Sequence, residues 1–156
     1  MESFQKLLNN SFKFRLYLLK NLPAAFFSGI KIITCDEEKC VTSVPFKWLT
    51  QNPFRSTYFA SLAMAAELST GALATLHTQH TKPGVSMLVT GMDARYFKKA
   101  KGKTIFTCED GLKIKEAAKN AMQSGEGVAI VVKSLGKNES SELVAEFNFT
   151  WSFKLR

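Results

Sequence analysis

The chain has 156 residues, of which 46% are hydrophobic and 22% are charged. A chain of this length can bury a substantial core, and this balance excludes a disordered protein. The formal net charge of +8 favours an anionic partner: a nucleic acid, a lipid surface or a phosphorylated small molecule. Positive charge that only aids solubility is the alternative.

The N-terminal region combines apolar residues with scattered cations. Apolar residues recur every three or four positions over residues 2–20, which predicts an amphipathic helix that ends at Pro23. Arg15, Lys20 and Lys31 interrupt the most apolar stretch, so it is too short to span a membrane and unlike a signal peptide. We therefore expect a cytoplasmic protein without a membrane span.

Residues 29–49 are typical of a β-hairpin. Isoleucines precede the acidic turn "DEEK" and apolar residues up to Trp48 follow it, while Pro45 indicates an edge position or a bulge. Cys35 and Cys40 enclose the turn, so a hairpin disulfide is geometrically conceivable. With Cys108 the cysteine count is odd, and without an export signal this favours free thiols.

The stretch from Asn52 to Gly71 predicts the best helix of the chain. Ser56 or Thr57 can cap its start, and glycine commonly ends a helix, as at Gly71. Small residues on nearly every face predict that other elements enclose this helix. Glu67 is the one carboxylate between Arg55 and His77.

The remainder predicts mainly antiparallel strands. Strand-like runs cover residues 72–80, 85–97 and 103–110, a short helix covers 112–123, and two strands cover 127–136 and 141–156. Apolar residues alternate along the last strand, as in a half-buried antiparallel strand. We expect one α+β domain over residues 1–156, and the order of elements resembles the hotdog fold, a curved sheet wrapped around a central helix.

The central helix carries a more specific resemblance. Hotdog thioesterases of the phenylacetyl-CoA type have an Asn before the helix, a His-Gly-Gly at its start and an acidic residue fifteen positions after the Asn. Asn52 and Glu67 have this spacing, and "AAE" stands where the family has "LAD". The chain looks closest to the uncharacterised thioesterase-like branch of that superfamily. It departs from the motif in having Tyr58, Phe59 and Ala60 at the His-Gly-Gly positions.

The resemblance implies hydrolysis of an acyl-CoA or acyl-carrier thioester without a dissociable cofactor, coenzyme A being part of the substrate. Glu67 would then activate water or attack the carbonyl, Asn52 would orient the thioester or the water, and the Phe59 backbone N–H would hold the oxyanion. The resemblance also implies a homodimer or a dimer of dimers with sites between subunits. The expected substrate-binding residues are Tyr58, Ala60, Met64, Met87 and Phe97 for the acyl group, and Arg95, Lys98, Lys99, Lys101 and Lys103 for the phosphates.

Other interpretations stay open for each feature. Glu67 could reach solvent near the helix end, Asn52 could serve only as a turn residue before a proline, and the basic cluster could be an ordinary charged turn at a sheet edge. A further alternative is a protein with the same hotdog fold that binds acyl-CoA but does not hydrolyse it.

Two alternatives come from other functional classes. The aromatic residues of the last strand could stack on nucleic-acid bases, although one core-facing side of a strand requires the same pattern. The N-terminal helix could bind a lipid surface instead of its own sheet. A metal site is not expected, because His77 and His80 would point to opposite sides of a strand.

Overall fold

The computed structural model describes residues 2–156, with side chains from residue 4 onward. The elements are α1 (Glu2–Leu8), α2 (Ser11–Asn21), α3 (Pro23–Ser28), β1 (Lys31–Cys35), β2 (Cys40–Val44), a 3-10 helix (Trp48–Thr50), α4 (Phe59–Thr78), β3 (Val85–Tyr96), β4 (Thr104–Cys108), α5 (Gly111–Ser124), β5 (Val128–Lys137) and β6 (Leu143–Leu155). The six strands form one antiparallel sheet in the order β1-β2-β4-β5-β6-β3, and the central helix α4 contacts every strand. The predicted α+β architecture is confirmed.

The N-terminal region forms three short helices, so the prediction of one helix over residues 2–20 is wrong. The Asn10 side chain explains the break, because its Oδ1 accepts a hydrogen bond from the Lys13 N–H at 3.0 Å and caps α2. Pro23 ends α2 as expected, but it also begins α3, because the first residue of a helix needs no N–H for an intrahelical hydrogen bond. Gly29 ends α3 at a φ of +76°.

The hairpin β1–β2 forms at the predicted place and provides one edge of the sheet. The Asn9 side chain covers this edge: its Nδ2 donates to the Cys35 carbonyl at 2.7 Å, and its Oδ1 accepts from the Cys35 N–H at 2.9 Å. The amide thus occupies the backbone groups that another strand would use. Cys35, Cys40 and Cys108 are buried free thiols.

The central helix α4 has 20 residues and ends at Thr78, not at Gly71. The strand predicted over residues 72–80 is therefore wrong, and His77 lies on a helix. Gly71 serves close packing, since a Cβ there would lie 2.8 Å from Glu67 Oε1. The predicted caps also differ: Tyr58 is the N-cap residue and makes no side-chain capping bond.

The helix α4 is long and apolar enough to cross a membrane, and no other helix of residues 2–156 is. However, 67% of its apolar window is buried inside the fold. A core helix of a soluble protein has this character.

Two strand predictions have different outcomes. The segment around Trp48 was expected to continue β2, but it forms the 3-10 helix and leaves the Trp48 side chain 79% exposed. In contrast, the four aromatic residues of β6 are buried on one face of the sheet, as a core requires, so they offer no stacking surface: Phe147, Phe149, Trp151 and Phe153. The predicted helix over residues 112–123 is confirmed as α5.

Candidate functional site

A cavity of about 570 Å³ opens at the N-terminal end of α4. One wall is the loop that leads into the helix, and the other is the chain that leaves β3. The lining residues are Asn52, Pro53, Phe54, Ser56, Thr57, Tyr58, Phe59, Leu62, Tyr96, Phe97, Lys98, Lys99 and Ala100.

Two hydrogen bonds from one residue hold the walls together. The backbone N–H of Thr57 donates to the Ala100 carbonyl at 2.8 Å, and the Thr57 hydroxyl donates to the same oxygen at 3.2 Å. Both residues are buried. The loop before α4 and the segment after β3 are therefore fixed relative to each other.

Asn52 organises the first wall. Its Oδ1 accepts hydrogen bonds from the Phe54 N–H at 3.0 Å and the Ser56 N–H at 3.2 Å, and its Nδ2 lies 3.1 Å from the Ser56 hydroxyl. Both ends of the amide are thus engaged within the loop. This geometry matches the interpretation of Asn52 as a turn residue before a proline.

Part of the cavity lining is aromatic and lies at a helix N-terminus. Tyr58 and Phe59 contact each other edge to face, with ring centroids 4.8 Å apart, and both side chains are about half exposed. The Phe59 N–H is among the first donors of α4 and has no acceptor within residues 2–156. A free N–H at the positive end of a helix can stabilise developing negative charge.

Two cations, Lys98 and Lys99, line the cavity. Lys99 Nζ is 5.9 Å from the centroid of the Phe54 ring, while Lys98 pairs with Glu142. Lys103 Nζ lies 3.7 Å from Glu139 Oε1. Lys99 is therefore the lining cation that has no anionic partner in the described part of the chain.

Glu67 lies further along α4, outside this cavity. It is mostly buried, with its Oε1 against Gly71, and the Trp151 ring lies near the same glycine. Trp151 is held there because its Nε1 donates to the Thr70 hydroxyl at 3.0 Å. Burial raises the pKa of the Glu67 carboxyl. Among the side chains from residue 4 onward and the described backbone, no group donates a hydrogen bond to this carboxylate.

The predicted site residues fall into three groups. The cavity brings together Asn52, Tyr58, Phe59, Phe97, Lys98 and Lys99. Ala60, Met64 and Glu67 lie on one half-buried face of α4. The structure does not bring the others to the cavity: Met87, Arg95, Lys101 and Lys103.

The position of Met87 shows why this residue does not line the cavity. Its Sδ accepts a hydrogen bond from the Thr78 hydroxyl, at the opposite end of α4. The sequence did not point to Phe54, Leu62 and Tyr96, which line the cavity. The place of Tyr96 follows from strand register, because it lies opposite Ala145 on the core-facing side of β6, and the sequence alone does not give that register.

The described residues hold no group of three His, Cys, Asp or Glu side chains that could bind a metal ion. His77, expected on a strand, is buried on α4, and its Nε2 donates to the Glu37 carbonyl at 2.9 Å. Burial lowers the pKa of His77, which favours the neutral ring. This histidine holds the β1–β2 turn.

Comparison with solved structures shows the same fold elsewhere. Protein PA5026 from Pseudomonas aeruginosa, a protein of unknown function described as a "Probable Thioesterase", has a TM-score of 0.79 at 19% identity, over 99% of this chain and 95% of that one. Thioesterase HI1161 from Haemophilus influenzae has a TM-score of 0.63 at 15% identity, over 90% and 88%. A protein of unknown function from Chlorobaculum tepidum has a TM-score of 0.77 at 18% identity, over 92% and 93%.

Sequence comparison gives the family. A search among curated protein sequences finds no match. A family model described as "Domain of unknown function (DUF4442)" matches residues 16–153. The architecture and its structural relatives identify the hotdog fold, and the chain belongs to the DUF4442 family.

Proposed function

We propose that this protein hydrolyses a thioester of coenzyme A or of a related acyl carrier, with Glu67 as the reactive carboxylate. The placement of Glu67 carries the proposal. It is the single carboxylate of α4, burial raises its pKa, and no hydrogen bond from residues 2–156 stabilises its charge. A carboxylate in this state is a stronger base than one in water.

One chain does not bring the necessary groups together. About 12 Å of helix axis separates Phe59 from Glu67, at 1.5 Å per residue. The N–H of Phe59 and the carboxylate of Glu67 therefore cannot act on the same carbonyl carbon from within one chain. A complete site requires a second copy.

The edge strand β3 offers the place for that copy. It has 12 residues and pairs on one side only, with β6. Met92 and Tyr96 lie opposite core-facing residues of β6, yet they remain 49% and 47% exposed. Antiparallel pairing of β3 with its copy would cover this surface and create two equivalent sites. We propose that each site combines the cavity of one chain with Glu67 of the other.

The chemistry needs only side chains, backbone and water. Glu67 takes a proton from water as the oxygen attacks the thioester carbonyl, and the Phe59 N–H stabilises the oxyanion. Collapse of the tetrahedral intermediate breaks the C–S bond, releasing a carboxylic acid and a thiol, to which the proton is returned. Asn52 acts indirectly in this scheme, by holding the loop that positions Phe59.

Substrate binding divides between the apolar and cationic parts of the site. Tyr58, Leu62 and Tyr96 would contact the acyl group from one chain, with Met64 and Ala60 beside Glu67 of the other. The coenzyme A phosphates would lie near the cations: Lys98, Lys99, Arg95 and Lys101. We place the reaction in the cytoplasm, where three free thiols would persist.

The first experiment measures thiol release from short, long and aromatic acyl-CoAs by the wild type and by Glu67→Gln. We expect a loss of about a hundredfold or more in kcat, because general base catalysis supplies factors of this size. Binding of the same acyl-CoAs without turnover by the wild type would support the alternative, acyl-CoA binding without catalysis. Equal turnover by both proteins would contradict the role of Glu67.

Subunit complementation then tests the composite site. Phe59→Pro removes the N–H at a position where proline fits, because it is the first residue of α4 and the preceding Tyr58 has a φ of −62° and a ψ of 137°. Phe59→Ala is the matched control that removes the ring and keeps the N–H. We expect Phe59→Pro, but not Phe59→Ala, to be inactive.

Refolding Phe59→Pro together with Glu67→Gln should restore about a quarter of wild-type activity, since half of the dimers are mixed and each has one intact site. The control is Glu67→Gln refolded alone under the same conditions. If both residues acted within one chain, the mixture would remain inactive.

A further inference from the structure

The helix α2 has two apolar faces, of which the fold uses one. Phe14 and Leu18 are buried and attach the helix to the core. Phe12, Leu16 and Leu19 lie on another side of the same helix and are 73%, 53% and 44% exposed. Packing of α2 against the rest of the fold therefore explains its buried apolar residues but not its exposed ones.

The apolar surface continues beyond α2. Phe27 of α3 and Trp48 of the 3-10 helix are also exposed, and the segments that carry them are joined because Lys47 Nζ donates to the Phe27 carbonyl at 2.7 Å. A depression of about 600 Å³ lies between α2 and the residues 29–32 and 45–47, and Phe12 and Lys47 are among its lining residues. We call the exposed side chains of Phe12, Leu16, Leu19, Leu22, Phe27, Trp48 and Leu49 the N-terminal apolar face.

Cations border this face and anions do not. Residues 11–34 include no Asp or Glu, and neither do residues 40–66. The guanidinium of Arg15 lies 4.1 Å from the centroid of the Phe26 ring, which holds a positive charge beside the face. Among the described side chains, none forms a salt bridge with the bordering cations, which are Lys13, Arg15, Lys20, Lys31 and Lys47.

We propose that the N-terminal apolar face docks onto an anionic lipid bilayer, with α2 lying in the plane of the membrane surface. An exposed apolar surface with cations beside it and no acidic residue on α2 is suited to the interface of an anionic membrane. Anionic headgroups complement the cations. A second copy of the chain fits less well, because two such faces in contact would bring unpaired cations together. This proposal is independent of thioester hydrolysis.

Vesicle sedimentation tests the proposal with the full chain. We expect the protein to pellet with phosphatidylcholine vesicles that contain about 30% phosphatidylserine and to pellet weakly with pure phosphatidylcholine. Raising the NaCl concentration from about 0.05 M to about 0.5 M should weaken binding to the anionic vesicles, because salt screens the attraction.

A matched pair of double variants locates the binding surface. Leu16→Gln with Lys20→Gln removes one leucine and one cation from α2, and we expect it to lower the vesicle partition coefficient at least about tenfold. Leu112→Gln with Lys119→Gln makes the same changes on exposed positions of α5. It should bind within about twofold of the wild type, because α5 lies outside the face.

Three results would overturn the proposal. The first is no pelleting of the wild type with anionic vesicles. The second is equal loss in the two double variants, which would indicate attraction by net charge alone. The third is a smaller oligomer for the α2 variant in sedimentation velocity with unchanged vesicle binding, which would make the face an interface between copies.

Discussion

The two halves of the central helix contrast in what they do for the molecule. From Phe59 to Glu67, side chains are exposed or half-buried along one face, and Phe59 and Leu62 of this half line the cavity. From Leu68 to Thr78, every side chain is buried except Thr75, which is half-buried. One continuous helix therefore forms a site wall in its first half and the core in its second half.

The contacts of the second half explain this difference. His77 holds the β1–β2 turn through the Glu37 carbonyl, and the Thr78 hydroxyl contacts Met87. Thr70 accepts a hydrogen bond from Trp151. Polar side chains there are engaged in structure, whereas Glu67 at the boundary is not. Substitutions in the two halves should therefore affect different measurements.

The largest expected effect is on stability in the second half. Leu73 is fully buried, and Leu73→Ala should lower the free energy of unfolding by about 2–5 kcal/mol, through lost burial and the cavity that remains. Phe59→Ala, in the exposed half, should lower it by less than about 1 kcal/mol. Urea unfolding followed by circular dichroism measures both. Similar losses in the two variants would remove the contrast between the halves.

Gly71→Ala tests the boundary between the halves. The added methyl would lie 2.8 Å from Glu67 Oε1, the flexible end of a side chain, and 3.5 Å from the Trp151 ring. The carboxylate must move, so we expect thioester turnover to fall by about tenfold, while better helix propensity keeps stability equal or slightly higher. Comparing kcat with urea unfolding separates the two effects.

The control for Gly71→Ala is the same change made in Glu67→Gln. If the methyl acts only by displacing the carboxylate, it should cause no further loss of turnover there. A further loss of the same size would show that Gly71 affects catalysis by another route.

The smallest expected effect is a pH-dependent gain in stability from Glu67→Gln. Burial raises the pKa of Glu67 in the folded state, so ionisation favours unfolding. Below the ordinary carboxyl pKa of about 4.3, the group is protonated in both states and this penalty is absent. As pH rises through the raised pKa, the wild type loses stability relative to the variant. Thermal unfolding at several pH values should give a Tm difference that grows from acid to neutral pH, and a constant difference would contradict the desolvated carboxylate.

Sequence patterns predicted the sheet better than the helices. The alternation along β6 identifies its buried face because the period of a strand is two residues and one face lies on the core. The length of α4 was missed because Gly71 resembles a helix end and the threonines after it favour strands. Burial of the segment from Ala72 to Thr78 against the sheet overrides the local preference of these threonines, and local sequence does not show that burial.

The sequence predicted the site residues that lie close together in the chain. It missed those whose position depends on the register between strands. Tyr58 and Phe59 follow Asn52 closely, so one motif identifies them together. Met87 and Tyr96 are on the same strand, and only its pairing with β6 shows that Tyr96 reaches the cavity while Met87 lies beside Thr78. A spacing motif along the chain does not carry that information.

The Asn9 amide on β1 has a consequence for assembly. It occupies the outward backbone groups of Cys35 on a strand of five residues that has an irregularity between Ile32 and Thr34. Strand addition is therefore blocked at this end of the sheet and available only along β3. When only one edge strand of a sheet can pair, two chains that pair through it leave no further edge for a third chain. The molecule can therefore expose a long edge strand to a partner without forming open-ended fibres.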